Sequence, residues 1–327
     1  MVAFVALLNL VGWGVLLFVV APHGYTLGDT GVLGAGLGLT VFLLGARHAF
    51  DADHIAAIDN TTRMLVERNR PAVGVGFWFS LGHSSIVFGL AMLIALGIEA
   101  VASPVRDADS GLQHALGIFG PAVAGAFLLL VGTMNLTALL SVMRGGGQSE
   151  VQHGGLLTSL LRRPLNRVRK PRHMYPVGLL MGLGFDTATQ VALLVLAAGS
   201  AAFALPWYAV LVLPVLFAAG MTLFDSVNGA VMAGAYRWAV MDAKRRAAYN
   251  IIVTGLSVVA AFALAILILL QLLVDELGLG DPAQWLAGLD TEYAGYGLAA
   301  LLVATWLVCF VIARYGKFSP RPDGQHE

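Results

Sequence analysis

Eight apolar runs, each long enough to cross a bilayer, succeed one another along this 327-residue chain and leave few folds open to it. They lie near residues 3–21, 33–60, 72–98, 114–143, 175–203, 207–236, 249–273 and 296–314, and a helical span needs roughly 17–25 residues. Hydrophobic residues make up 58% of the chain and charged residues 12%, more apolar than a water-soluble core requires. In hydrocarbon every backbone polar group needs an internal partner, and runs of this length find one by coiling into helices. The expectation is an all-α polytopic membrane bundle of about eight transmembrane helices, a single domain over 1–327.

Loop charge orients the bundle. Seventeen of the 19 Lys and Arg residues follow spans 2, 4, 6 and 8, and the opposite loops are acidic with Arg106 alone as a base. Basic loops stay in the cytoplasm, so both termini are expected there. The segment near 144–173 opens with Gly145-Gly146-Gly147 and ends basic, a flexible cytoplasmic connector suited to contact with anionic lipid. Met1 to Val20 has no basic stretch before it and reads as a retained span, not a cleaved leader. Cys309 is the only cysteine, which rules out an internal disulfide and any multi-thiolate metal site.

Against that background, Arg47-His48-Ala49-Phe50-Asp51-Ala52-Asp53-His54 sets five polar side chains inside span 2. A charge at bilayer depth costs roughly 2.5–3.5 kcal/mol, so such a cluster points to a metal or proton site. His83 in span 3, Asp186 in span 5 and Asp225 in span 6 fall at similar depth. Polar groups from four helices thus share one layer, the level at which transporters hold substrate. Small residues accompany them in Gly82-His83-Ser84-Ser85, Gly184-Phe185-Asp186-Thr187 and Gly220 through Gly229, and let helices approach closely.

These segments resemble the nickel/cobalt transporter family of secondary metal permeases. The family signature in span 2, His, four residues, Asp-His, reads here His48 to Asp53-His54. Its Gly-His-Ser-Ser is Gly82 to Ser85, and its Leu-Gly-Phe-Asp-Thr-Ala-Thr is Leu183 through Thr189. The likeness covers the eight-span layout. Two positions depart from it: Gln190 stands where the family usually has Glu, and Asp225-Ser226-Val227-Asn228-Gly229 replaces Asp-Thr-x-Asp-Gly. Each departure removes a carboxylate.

On a regular helix Asp53 lies about 140° round from His48 and His54 about 240°, so the three cannot share one face. Either the helix is distorted there or only part of the motif meets the ion. The favoured ligands are His48, Asp53 and His54, with His83, while Asp51 pairs with Arg47. His48, Asp51 and His54, at i, i+3 and i+6, form the rival set on a narrower arc. Asp59 falls within about 20° of His48 by helix phase and is placed on the inner path. Ser84, Asp186, Thr187, Gln190, Asp225 and Asn228 complete the expected path or support the ligands, and Asn135 and Thr137 read as interhelical glue.

The resemblance implies import of nickel(II), cobalt(II) or both across the cell (inner) membrane. Imidazole and carboxylate without thiolate suit those ions. No Gly-x-x-x-x-Gly-Lys-Ser/Thr loop occurs, so transport is expected to run without ATP hydrolysis by this chain. No cofactor, nucleic acid or protein partner is expected. A related efflux permease is the rival function, although residues 144–173 hold only His153 and His173; an intramembrane metalloenzyme is weaker, because no His-Glu-x-x-His motif is present.

Overall fold

The computed structural model describes residues 1–26, 32–96, 110–143, 168–183, 205–240, 243–277 and short pieces between 296 and 304. Among them the chain is all-helical, apart from one isolated bridge between Thr26 and Val32. We number the helices α1 (Val2–Gly14), α2 (Ala35–His48), α3 (Ala52–Glu67), α4 (Val75–Ala95), α5 (Gly111–Met143), α6 (Met174–Gly182), α7 (Trp207–Val240) and α8 (Ala243–Leu277). Helix α1 continues through a π-helical turn at Val15–Val20 into a short 3-10 turn, which Gly24 closes in the left-handed conformation at φ 61°.

Five segments among the described residues are long and apolar enough to cross a membrane: Val2–His23, Val75–Ala95, His114–Thr137, Trp207–Trp238 and Thr254–Leu277. The expected span at 33–60 is not continuous. It is broken into α2 and α3 at Ala49-Phe50-Asp51. Of the expected span at 175–203 only α6 is described, and the span at 296–314 and most of the connector at 144–173 lie outside the described residues.

Helix α7 is the hub, packing against α1, α2, α3 and α4, while α8 lies along α5 and α6 along α4. Of the most apolar stretch of α7, 78% is buried, against 17% for the first segment, which places α7 inside and α1 on the lipid side. Pro214 sits within α7 and Pro121 within α5, positions tolerated where neighbouring helices satisfy the freed carbonyl. Two apolar clusters make the core. One gathers Ile55, Ile58, Phe79, Leu128, Met174 and Leu264, and the other Leu16, Val41, Val87, Leu213, Leu216 and Phe217.

Close crossings lock α7 and α6 onto their neighbours. A Cβ on Gly45 of α2 would overlap the Phe217 carbonyl of α7, and one on Gly220 of α7 would overlap the Phe42 carbonyl of α2. Between α4 and α6 the same relation holds for Gly82 with the Tyr175 carbonyl and for Gly178 with that of Phe79. Backbones this near maximise dispersion contact, the attraction that remains when lipid is as apolar as the side chains.

Candidate metal centre

The break between α2 and α3 builds the site. Phe50 N donates to Arg47 O at 2.8 Å and Asp51 N to His48 O at 3.0 Å, which tightens the last turn of α2. Asp51 then turns extended, with φ −62° and ψ 144°, and becomes the N-cap residue of α3, its carbonyl accepting from Ile55 N at 3.0 Å. Phe50 holds the corner by packing on Phe224 and Tyr296, at ring separations of 5.7 and 5.6 Å.

Turning the chain here brings His48 and His54 together, with ring centroids 4.5 Å apart. His83 of α4 stands 4.9 Å from the first ring and 4.8 Å from the second. One ligand nitrogen from each of the three lies within 4.8 Å of the others. His54 and His83 are buried, at 0% and 4% exposure, and His48 is partly open beside Asp51. The trio sits between the two apolar clusters, His48 tilted against Phe217 and His54 edge-on to Phe79.

Two carboxylates orient the rings. Asp51 Oδ2 lies 2.5 Å from His48 Nδ1, and Asp225 Oδ2 of α7 lies 3.4 Å from His54 Nδ1. With Nδ1–H turned to a carboxylate, a neutral imidazole presents its Nε2 lone pair to the site, the relation common to metal-binding histidines. His48 Nε2 is 3.2 Å from His83 Nε2. Two nitrogens bound at about 2.1 Å to one ion stand roughly 3.0–3.4 Å apart in octahedral or tetrahedral geometry, so this spacing fits a shared metal. His54 Nε2 and His83 Nδ1 have no hydrogen-bond partner although both are buried; such polar nitrogens are costly unless a ligand or water meets them.

The other expected residues divide. Asp53 Oδ1 accepts the His54 backbone N–H at 2.9 Å, in the first turn of α3, where free amides attract carboxylates. Asp51, expected to pair with Arg47, has His48 Nδ1 as a short contact and also feels the charge of Arg47. Asp59 does not share the face of His48, because the break resets helix phase; it accepts from Tyr236 Oη and from Ser257 Oγ at 3.0 Å. Ser84 is buried near His83 on α4, and Asn228 is half-buried one turn beyond Asp225. Asn135 donates to Asn60 Oδ1 across α5 and α3, as interhelical glue should. Thr137 turns instead to the Met134 carbonyl of its own helix, at 2.8 Å. Asp186, Thr187 and Gln190 lie outside the described residues. Tyr236 and Ser257 were not singled out from sequence, since a lone Tyr or Ser in an apolar run carries no signal by itself.

Long apolar helices around a buried layer of imidazoles and carboxylates define a multi-pass membrane protein of the ion-transporter class. The comparisons sharpen this. Residues 34–312 match the family described as high-affinity nickel-transport protein. The nickel transporter NicT of Mycobacterium tuberculosis is 45% identical over 99% of this chain and 91% of its own length. The nickel transporter NixA of Staphylococcus aureus is 36% identical over 97% and 94%, and the cobalt transport protein NhlF of Rhodococcus rhodochrous is 41% identical over 83% and 81%. The chain belongs to the high-affinity nickel-transport protein family, whose members are transporters and not enzymes. No solved structure matches it.

Proposed function

We propose that this protein is a secondary permease that imports nickel(II), cobalt(II) or both, and that His48, His54 and His83 bind the ion in transit. The observation that carries the reading is the convergence of three imidazole nitrogens within 4.8 Å at a helix break. Asp51 and Asp225 hold two of the rings, and Ser84, Asp59, Asn228, Asp186, Thr187 and Gln190 line or support the path. Asp53 serves the start of α3 and is not a ligand in this reading. The protein sits in the cell (inner) membrane with eight spans, both termini and the connector at 144–173 in the cytoplasm.

Neutral imidazoles bind nickel(II) and cobalt(II) without the tight thiolate grip that would hinder release. A membrane potential of about 100 mV, negative inside, favours entry of a divalent ion by roughly 4.6 kcal/mol, so uptake needs no nucleotide hydrolysis. The deciding experiment measures cell nickel and cobalt on expression of the wild type and of His54→Ala. Accumulation that depends on His54 supports the reading. Depletion by the wild type means export, and no change in either direction removes transport altogether.

A further inference from the structure

Inward of the imidazole trio, the stretch Asp59 to Arg63 of α3 is polar on every face and still buried. Asp59, Asn60, Thr61, Thr62 and Arg63 are each no more than 2% exposed. Five consecutive residues sweep about 400° of helix, so no side of this segment faces lipid. Asp59 is accounted for by Tyr236 and Ser257. Asn60 is held by its Nδ2, which donates to Ala56 O at 2.7 Å, and by its Oδ1, which accepts from Asn135. Thr61 is not accounted for: its Oγ is buried with no hydrogen-bond partner.

That hydroxyl borders a cavity between α3 and α5, lined by Asn60, Thr61, Met64, Val131, Met134 and Asn135. Its volume of about 10 Å³ is room for one water or one small ion. The lining offers a hydroxyl, carboxamides and two methionines. Asn60 Oδ1 already accepts from Asn135 and Arg63, and each amide nitrogen has given one of its two hydrogens elsewhere; the acceptors left to an occupant are the Thr61 hydroxyl, the Asn135 amide oxygen and thioether sulfur, beside one N–H on each amide. No carboxylate lines it. Arg63 Nη2 reaches Asn60 Oδ1 at 3.4 Å, and Asp59, one turn earlier on α3, offsets that positive charge. Thr61 lies seven residues beyond His54, about 10 Å along the helix toward its basic end.

We propose that this cavity is a second, weaker station for the transported divalent cation, which receives the ion from the imidazoles and passes it toward the cytoplasm. This rests on the permease reading above. An ion stripped of water at the trio needs replacement ligands before it can leave, and neutral oxygen and thioether donors supply them without trapping it. Affinity rises with ligand charge, so a station without a carboxylate binds loosely.

The test uses the full chain, purified for cobalt(II) binding and reconstituted in vesicles for radiolabelled cobalt(II) transport. Wild type and His54→Ala report on the permease reading. Thr61→Val, Thr61→Ser and the double variant Met64→Leu with Met134→Leu report on the station; the leucines keep volume and remove sulfur. The expected result is that Thr61→Val and the double leucine variant lower maximal transport rate several-fold with Kd and KM unchanged, and that Thr61→Ser restores it. If wild type transports and both variants match it, the station is rejected and the permease reading stands. If only Thr61→Val slows transport, the cavity holds water alone. If Kd weakens in parallel with rate, these residues only support the trio, and the station is again rejected. Should Thr61→Val fail to fold, the double leucine variant decides by its own rate and Kd. The same assay is run with radiolabelled nickel(II), and a wild type that carries neither ion overturns both readings.

Discussion

His48 Nε2 and His83 Nε2 lie 3.2 Å apart, though the residues are separated by 35 positions and stand on different helices. Two ring nitrogens come so near only with a proton between them or an ion shared by both, and the nearby His54 Nε2 has no other partner. Substitution by alanine at His48, His54 or His83 is therefore expected to abolish nickel or cobalt uptake while the protein still inserts. Radiolabelled uptake, normalised to protein recovered in membranes, measures it. Near-normal uptake by any one variant removes that residue from the ligand set.

The two aspartates of the motif should separate. Asp51→Asn takes the charge from the group that orients His48, and losses of this kind cost about 10–100-fold in metal affinity. Asp53→Asn keeps an oxygen for the His54 backbone N–H, so its affinity should stay close to wild type; Asp53→Ala should cost about 0.3–1 kcal/mol of stability by removing a carboxylate from the helix start. Titration of purified protein with cobalt(II) ranks them, and equal loss from both asparagine variants would return Asp53 to the ligands.

Asp225→Asn should weaken metal binding by about 10-fold, because His54 then loses the carboxylate that keeps its Nδ1 protonated and its Nε2 available. Acidification acts in the same direction. Protons and metal compete for the imidazole lone pairs, so uptake should fall as pH falls and recover as it rises. Uptake across a pH series checks this, and a flat profile would contradict an imidazole site.

Tyr236→Phe should leave the buried Asp59 with Ser257 as its hydroxyl partner, at a cost of about 1–3 kcal/mol. A lower melting temperature in detergent is the expected readout. An unchanged melting temperature would mean that the carboxylate finds another donor.

Gly220→Ala should destabilise the bundle by about 1–3 kcal/mol, because the new Cβ would meet the Phe42 carbonyl across the α2 and α7 crossing. Gly89→Ala, with nothing within 4 Å of the added carbon, should not. Thermal unfolding of the pair separates a packing requirement from a general effect of losing glycine.

What the sequence determined by itself is the class and the inventory. Apolar runs admit only a membrane bundle, since the bilayer offers the backbone no hydrogen bonds, and a dense polar motif within one run marks where the chemistry gathers. His48, His54, His83 and Asp225 were all legible on that ground. Which aspartate stands beside which ring was not. The angle between two side chains can be counted from sequence only while every residue between them stays helical, and at Asp51 ψ swings to 144°. From that point the count restarts: His54 comes round to His48, Asp53 turns to the new helix N-terminus, and Asp59 turns to Tyr236 and Ser257. Distant contacts had no local signal at all. The 3.4 Å approach of Asp225 to His54 spans 171 positions and depends on where α7 lies, which glycines at its crossings and two apolar clusters decide together.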